Sequence, residues 1–148
     1  MKRSLALLLC LTLTLLAGCG SSFLGMRENY GISLPENCEI TDRASVFIGP
    51  DRIAINKLQY SEDTITGLFP WRAADGALQK DLDLMFQLLT ESERRDPEIR
   101  ASGLIAEITN KLPALRYYKA TEAEARGVVC CLLLDTSELV LYVCEANY

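Results

Sequence analysis

Hydrophobic residues alternate with polar ones early in the chain, which predicts a β-hairpin. The apolar segments 44–48 and 53–58 flank Gly-Pro-Asp-Arg, a sequence typical of a type I turn. Pairing Ile48 with Ile53 then puts four apolar side chains on one sheet face, as a half-buried sheet requires. These are Val46, Ile48, Ile53 and Ile55. A shorter strand is predicted over residues 64–68.

The middle of the chain has the apolar spacing of two amphipathic helices. The first helix is predicted to have Asp75 as its N-cap and to end near Ser92. Its predicted core positions are Leu78, Leu82, Met85, Phe86 and Leu89, with Leu84 and Leu88 widening the apolar arc. The second helix is predicted to begin at Asp96-Pro97-Glu98 and to stop at Pro113. Its predicted core positions are Ala101, Leu104, Ile105, Ile108 and Leu112.

The last third of the chain returns to a strand pattern, at residues 115–119, 128–134 and 139–144. The last two segments are almost continuously apolar, which is typical of strands in the middle of a sheet covered on both faces. Residues 121–127 are predicted to form a single helical turn. The expected fold is α+β: an antiparallel sheet of four to five strands with two amphipathic helices packed on one face.

The first residues have a different pattern, with two basic residues before an uncharged, mainly apolar run from Leu5 to Ala17. This is the layout of a secretory signal peptide, because a membrane span needs about 20 apolar residues. The segment Leu16-Ala17-Gly18-Cys19 resembles the lipobox of bacterial lipoprotein precursors. The resemblance covers residues 1–20. It implies cleavage after Gly18, a diacylglyceryl thioether on Cys19 and acylation of the new amino terminus.

The expected organisation is therefore a signal peptide over residues 1–18, a lipidated tether over 19–37 and one domain over 38–148. Several acyl chains on Cys19 hold a protein stably on a membrane. Gly20 stands where many lipoproteins of the Gram-negative inner membrane have Asp, so the resemblance implies the outer membrane, with the domain facing the periplasm. The outer face of a cytoplasmic membrane is the alternative.

The charge of the chain limits its partners. Removing residues 1–18, which contain two basic residues and no acidic one, changes the formal net charge from −5 to −7. An acidic domain is repelled by phosphate groups, which argues against nucleic acid and anionic lipid headgroups as ligands.

Four cysteines remain in the predicted domain, and an even number in an exported protein predicts two disulfides. Because a bridge between the adjacent Cys130 and Cys131 is strained, each is expected to pair with Cys38 or Cys144. The preferred pairing is Cys130–Cys144 with Cys38–Cys131, and it depends on the length of the last hairpin loop. There is no Cys-x-x-Cys motif, so structural disulfides are preferred to a redox site.

The chain contains no histidine, which excludes Ser-His-Asp and Cys-His catalysis and His-based metal sites. No Walker A or Gly-x-Gly-x-x-Gly motif is present, so neither an enzyme nor a cofactor or metal is predicted. Asp81 falls inside the apolar arc of the first helix. It is interpreted either as a functional buried acid or, preferably, as an acid that pairs with an arginine or reaches solvent.

Phe69, Trp71 and Arg72 are candidate partner-binding residues, since aromatic and arginine side chains in exposed loops often contact proteins. Packing of the two aromatic rings in the core is the preferred alternative. The expected function is a lipid-anchored envelope lipoprotein that acts as a non-enzymatic protein-binding or envelope-assembly module. The alternatives are a periplasmic inhibitor or immunity protein against an envelope-targeting toxin and, third, an unrecognised hydrolase.

Overall fold

The computed structural model describes residues 30–120 and 128–147 and has an α+β fold. Its one antiparallel sheet has six strands in the order β1-β2-β6-β5-β4-β3. The strands are β1 (Cys38–Ile48), β2 (Asp51–Tyr60), β3 (Arg72–Ala73), β4 (Arg116–Lys119), β5 (Val128–Asp135) and β6 (Val140–Asn147). The helices are α1 (Gly76–Arg95) and α2 (Ala101–Lys111), with a short 3-10 helix at Leu112–Ala114.

The strand count exceeds the four to five strands predicted because β3 contains only two residues, too few for a sequence pattern. The strand predicted over residues 64–68 is absent, and its position is occupied by turns around the buried side chain of Ile65. The prediction that the last two strands lie in the middle of the sheet is confirmed.

The first hairpin has a two-residue loop, Gly49-Pro50, instead of the four-residue loop predicted. Ile48 therefore lies opposite Asp51 rather than Ile53, and the predicted register is wrong by two residues. Gly49 has φ of +66°, a conformation that glycine adopts without the cost of a Cβ atom and that closes a tight hairpin. A shift of two residues preserves the faces, so Ile53 and Ile55 are buried as predicted.

Helix α1 begins as predicted, since a carboxylate oxygen of Asp75 accepts a hydrogen bond from the backbone N–H of Leu78 at 2.9 Å. All five predicted core positions of this helix are buried. Leu84 is the exception in the predicted apolar arc, because it is 48% exposed.

Helix α2 begins at Ala101, five residues after the predicted capping residue Asp96. Asp96 accepts a hydrogen bond from the backbone N–H of Glu98 at 3.1 Å in a turn that precedes the helix. Arg100 then has φ of +49°, which interrupts helical geometry before α2. The helix gives way to a 3-10 turn at Pro113, where it was predicted to stop.

The sheet separates two hydrophobic clusters. Both helices pack on one face, as predicted, over a cluster that includes Ile55, Cys131 and Tyr142. The opposite face is covered by segments 30–37 and 61–71, which contribute Ile32, Leu34 and Ile65. Residues 30–37, predicted as tether, thus pack on the sheet through two buried side chains. Their lack of periodicity concealed this packing.

The lipobox with Cys19, residues 20–29 and the predicted helical turn over residues 121–127 lie outside the described residues. Among the helices that are described, none is long and apolar enough to span a membrane.

Candidate functional site

Phe69 and Trp71 lie in a cluster of aromatic rings on the face opposite the helices. The Phe69 ring stacks on Tyr118 with centroids 4.8 Å apart and meets Trp71 edge-on at 5.4 Å. Both predicted side chains are half-buried and pack against the hydrophobic cluster below them. The indole N–H of Trp71 is buried and has no hydrogen-bond partner among the described residues. Packing therefore accounts for most of the surface of these two rings.

The residues on either side of the two rings, Leu68 and Arg72, form the exposed part of this loop. Leu68 is 48% exposed, and Arg72 is exposed on β3, which pairs only with β4 at this edge of the sheet. The structure thus separates the three predicted residues into two rigid rings and one exposed arginine. Leu68, which the sequence pattern did not single out, adds an exposed apolar side chain to the same loop.

Asp81 forms an ion pair with a lysine rather than with an arginine. Its carboxylate lies 2.8 Å from the Lys119 ammonium, and its side chain is 27% exposed at the edge of α1. This geometry agrees with the preferred interpretation of Asp81 as a paired acid near solvent. Burial and the Asp81 carboxylate raise the pKa of the neighbouring Cys131 thiol to about 12, with Lys119 acting in the opposite direction.

The sheet register changes the predicted cysteine pairing. Cys131 lies directly opposite Cys144, because the last hairpin loop spans residues 136–139. Cys130 lies opposite Glu145 and belongs to the cluster on the other face. The observed loop puts Cys130 opposite Glu145 and not opposite Cys144, so the predicted Cys130–Cys144 pairing is wrong. The thiols of Cys130, Cys131 and Cys144 are free in the structure.

Cys38 lies far from the other cysteines. It is opposite Tyr60 on β2, whereas Cys144 is opposite Ile55 of the same strand. Five residues of strand separate these positions by about 17 Å along the sheet, far beyond the roughly 7 Å Cα separation that a disulfide allows. The predicted Cys38–Cys131 pairing is therefore also wrong. Burial raises the pKa of Cys144 well above its usual value, so the thiolate form is disfavoured in the folded domain.

A polar network joins α2 to the sheet. Glu107 accepts hydrogen bonds from the Lys57 ammonium at 2.7 and 2.9 Å and from the Tyr142 hydroxyl at 2.8 Å. Lys111, one turn later, bonds Asp135 at 3.0 Å and also bonds Glu138. Each acid in the network is matched by a lysine or a hydroxyl, so this group positions the helix on the sheet.

A shallow apolar groove lies at the tip of the first hairpin, next to the C-terminal end of α1. Its volume is about 430 Å³. Five apolar residues form one part of the lining, and polar residues of the end of α1 and the following turn form the rest: Val46, Phe47, Ile48, Leu88 and Ile99, with Glu91, Ser92, Arg95 and Asp96. Phe47 is 71% exposed and Ile48 is 41% exposed. The sequence pattern assigned Ile48 to a buried face and did not single out Phe47. Phe47 and Ile48 are the last two residues of β1, directly before the loop, where neighbouring elements cover them only in part.

In the two described ranges, no three His, Cys, Asp or Glu side chains are grouped so that they could hold a metal ion. No protein family matches the chain, and neither a curated protein nor a solved structure was found to be similar to it. The candidate surfaces are therefore defined by their own geometry: the Leu68–Arg72 loop and the hairpin tip.

Proposed function

We propose that this chain is a lipid-anchored protein of the bacterial cell envelope whose domain binds a protein partner and does not act as an enzyme. The lipobox resemblance at Leu16-Ala17-Gly18-Cys19 supports the anchor, and Gly20 favours the outer membrane with the domain in the periplasm. The absence of histidine from the sequence supports a binding role over the common hydrolytic mechanisms.

The packing of residues 30–37 supports a function close to the membrane. Because Ile32 and Leu34 are buried against the sheet, only residues 20–29 separate a lipidated Cys19 from Tyr30, the first described residue. Even fully extended, this connection reaches no more than about 40 Å. A partner of the domain would therefore lie in the same membrane or near its surface.

The Leu68–Arg72 loop is the proposed contact with that partner. It presents an exposed leucine and an exposed arginine beside two rings that are already ordered by packing. Ordered groups lose little conformational entropy on binding, and arginine is enriched in protein interfaces. The expected partner is an envelope protein with an apolar depression for Leu68 and a carboxylate for Arg72.

Photo-crosslinking in living cells tests this contact. We would place benzoylphenylalanine at Leu68 and, as the control, at Leu84, because both side chains are 48% exposed. A crosslink to one envelope protein from position 68, absent from position 84 and lost with Arg72→Glu, is the expected result. Equal crosslinking from both positions, or none from position 68, would reject this loop as the binding surface.

A further inference from the structure

The tip of the first hairpin exposes two large hydrophobic side chains next to each other. Four large hydrophobic side chains of the described residues are exposed, and two of them, Phe47 and Ile48, are adjacent here. Gly49-Pro50 completes an uncharged tip of four residues. The side chains of Leu88 and Ile99 continue this surface into the groove behind the tip. Exposed apolar side chains rimmed by polar residues, as here, are typical of a contact surface.

The chain enters the domain at the same end. Tyr30 packs against the hydrophobic cluster that contains Cys130. Cys130 lies opposite Glu145, and Glu145 lies opposite Ala54, two residues along β2 from Arg52. Arg52 lies directly opposite Phe47 in the hairpin. The connection from Cys19 therefore joins the domain toward the end of the sheet that carries the hairpin tip.

We propose that the hairpin tip rests on the lipid surface that holds Cys19, with Phe47 and Ile48 inserted between the lipid headgroups. This inference depends on the anchor of the proposed function. An aromatic and an aliphatic side chain are suited to the boundary between headgroups and acyl chains. The short connection to Cys19 keeps the tip at a high effective concentration near that boundary, so that even a weak contact is populated.

The charges around the tip indicate an apolar rather than an electrostatic contact. Arg52 and Arg95 are outnumbered by Asp51, Glu91 and Asp96, and the mature chain as a whole is acidic. Attraction to anionic lipid therefore contributes little. We expect the contact to form on neutral phosphatidylcholine as well as on anionic vesicles, and to persist when the salt concentration is raised.

This orientation leaves the Leu68–Arg72 loop clear of the lipid. Arg72 pairs with Tyr117 on β4, and the same row of paired residues crosses the sheet to Tyr142 on β6 and Lys57 on β2. Lys57 is five residues along β2 from Arg52, which places the loop about 17 Å from the tip in the strand direction. The membrane and the proposed protein partner would thus contact different parts of the domain.

The test uses tryptophan fluorescence of the full chain, produced in bacteria, purified from membranes and reconstituted into phosphatidylcholine vesicles. Phe47→Trp places a reporter at the tip, and Leu84→Trp is the matched control on α1. The wild-type chain gives the emission of its one tryptophan, Trp71, for subtraction. Circular dichroism and unfolding midpoints establish that both variants are folded. Acyl chains brominated at different depths then quench any tryptophan that lies among the lipids.

The expected result is loss of the added emission of Phe47→Trp in brominated vesicles, strongest for bromine near the headgroups, with Leu84→Trp unaffected. Equal emission of the two variants in brominated and ordinary vesicles would overturn the inference. Blue-shifted Phe47→Trp emission without quenching would also overturn it, because a protein surface would then cover the tip. Mass spectrometry of the same protein separates the two proposals. If the chain carries no acyl groups, both the lipid anchor and the tip contact are rejected. If the chain is acylated but its tip is not quenched, only the tip contact is rejected.

Discussion

The hydrogen bonds of Glu107 predict a specific coupling between α2 and the sheet. The Tyr142 side chain is fully buried, and its hydroxyl donates to Glu107 at 2.8 Å. Replacing Glu107 by alanine leaves that hydroxyl without this acceptor, at a cost of about 1–3 kcal/mol for an unsatisfied buried group. Loss of the partly exposed ion pair with Lys57 adds up to about 1 kcal/mol. We therefore expect Glu107→Ala to lower the free energy of unfolding by roughly 1–4 kcal/mol.

A double-mutant cycle with Tyr142→Phe isolates the hydroxyl. In the Glu107→Ala background, Tyr142→Phe removes a hydroxyl that has lost its acceptor. This substitution should therefore change the free energy of unfolding little, or even raise it. In the wild-type background it removes a satisfied hydrogen bond. Urea unfolding of the four proteins should give a coupling energy of about 1–2 kcal/mol. Additive effects of the two substitutions, within about 0.3 kcal/mol, would refute the coupling.

The same carboxylate predicts a pH dependence. Burial alone would raise the pKa of Glu107, but hydrogen bonds from Lys57 and Tyr142 outweigh burial and lower this pKa below 4.5. An acid with a lowered pKa in the folded state stabilises the protein above its unfolded pKa. That stabilisation is lost as the pH falls through the folded pKa. The stability difference between the wild type and Glu107→Gln should shrink between pH 5 and pH 3, and a constant difference would contradict this cause.

Three further outcomes follow from packing, backbone geometry and register. In urea unfolding, Leu82→Ala should cost about 2–5 kcal/mol because it empties a fully buried site, whereas Leu84→Ala should stay within about 0.5 kcal/mol. Gly49→Ala should lower the thermal midpoint, because a Cβ atom is strained at φ of +66°. If export oxidises the domain, Cys131–Cys144 is the one pair of its four cysteines that can form a disulfide. Alkylation after denaturation without reductant should then modify two thiols, and modification of four thiols would contradict the bridge.

Helix α1 was predictable because its determinants are local. The cap at Asp75 and the spacing of Leu78, Leu82 and Leu89 depend only on residues within one helix. The same argument failed at Leu84, which lies at the edge of the apolar arc. Whether such an edge position is covered depends on the elements that pack nearby, and these do not follow from the helix itself.

The sheet register was not predictable, since it depends on loop conformations that several sequences allow. Positive φ values at Gly49 and Leu139 fix the two hairpin loops, and a change of one residue in loop length turns a strand over. In the first hairpin the error was two residues and kept the faces, whereas in the last hairpin an error of one residue gave the wrong cysteine pairing. The two candidate surfaces differ in the same way. The aromatic loop could be identified from its composition alone, whereas the exposure of Phe47 depends on which elements pack around the hairpin tip.

The central claim, attachment through Cys19, is tested most directly by the mass of the intact protein extracted from membranes. The account predicts a chain that begins at Cys19 and carries a diacylglyceryl group together with an amide-linked acyl chain. Cys19→Ser should abolish all of this added mass and leave residues 1–18 attached. An unmodified Cys19 in the membrane-extracted protein, or the same added mass in the Cys19→Ser variant, would contradict the lipid anchor and the envelope function built on it.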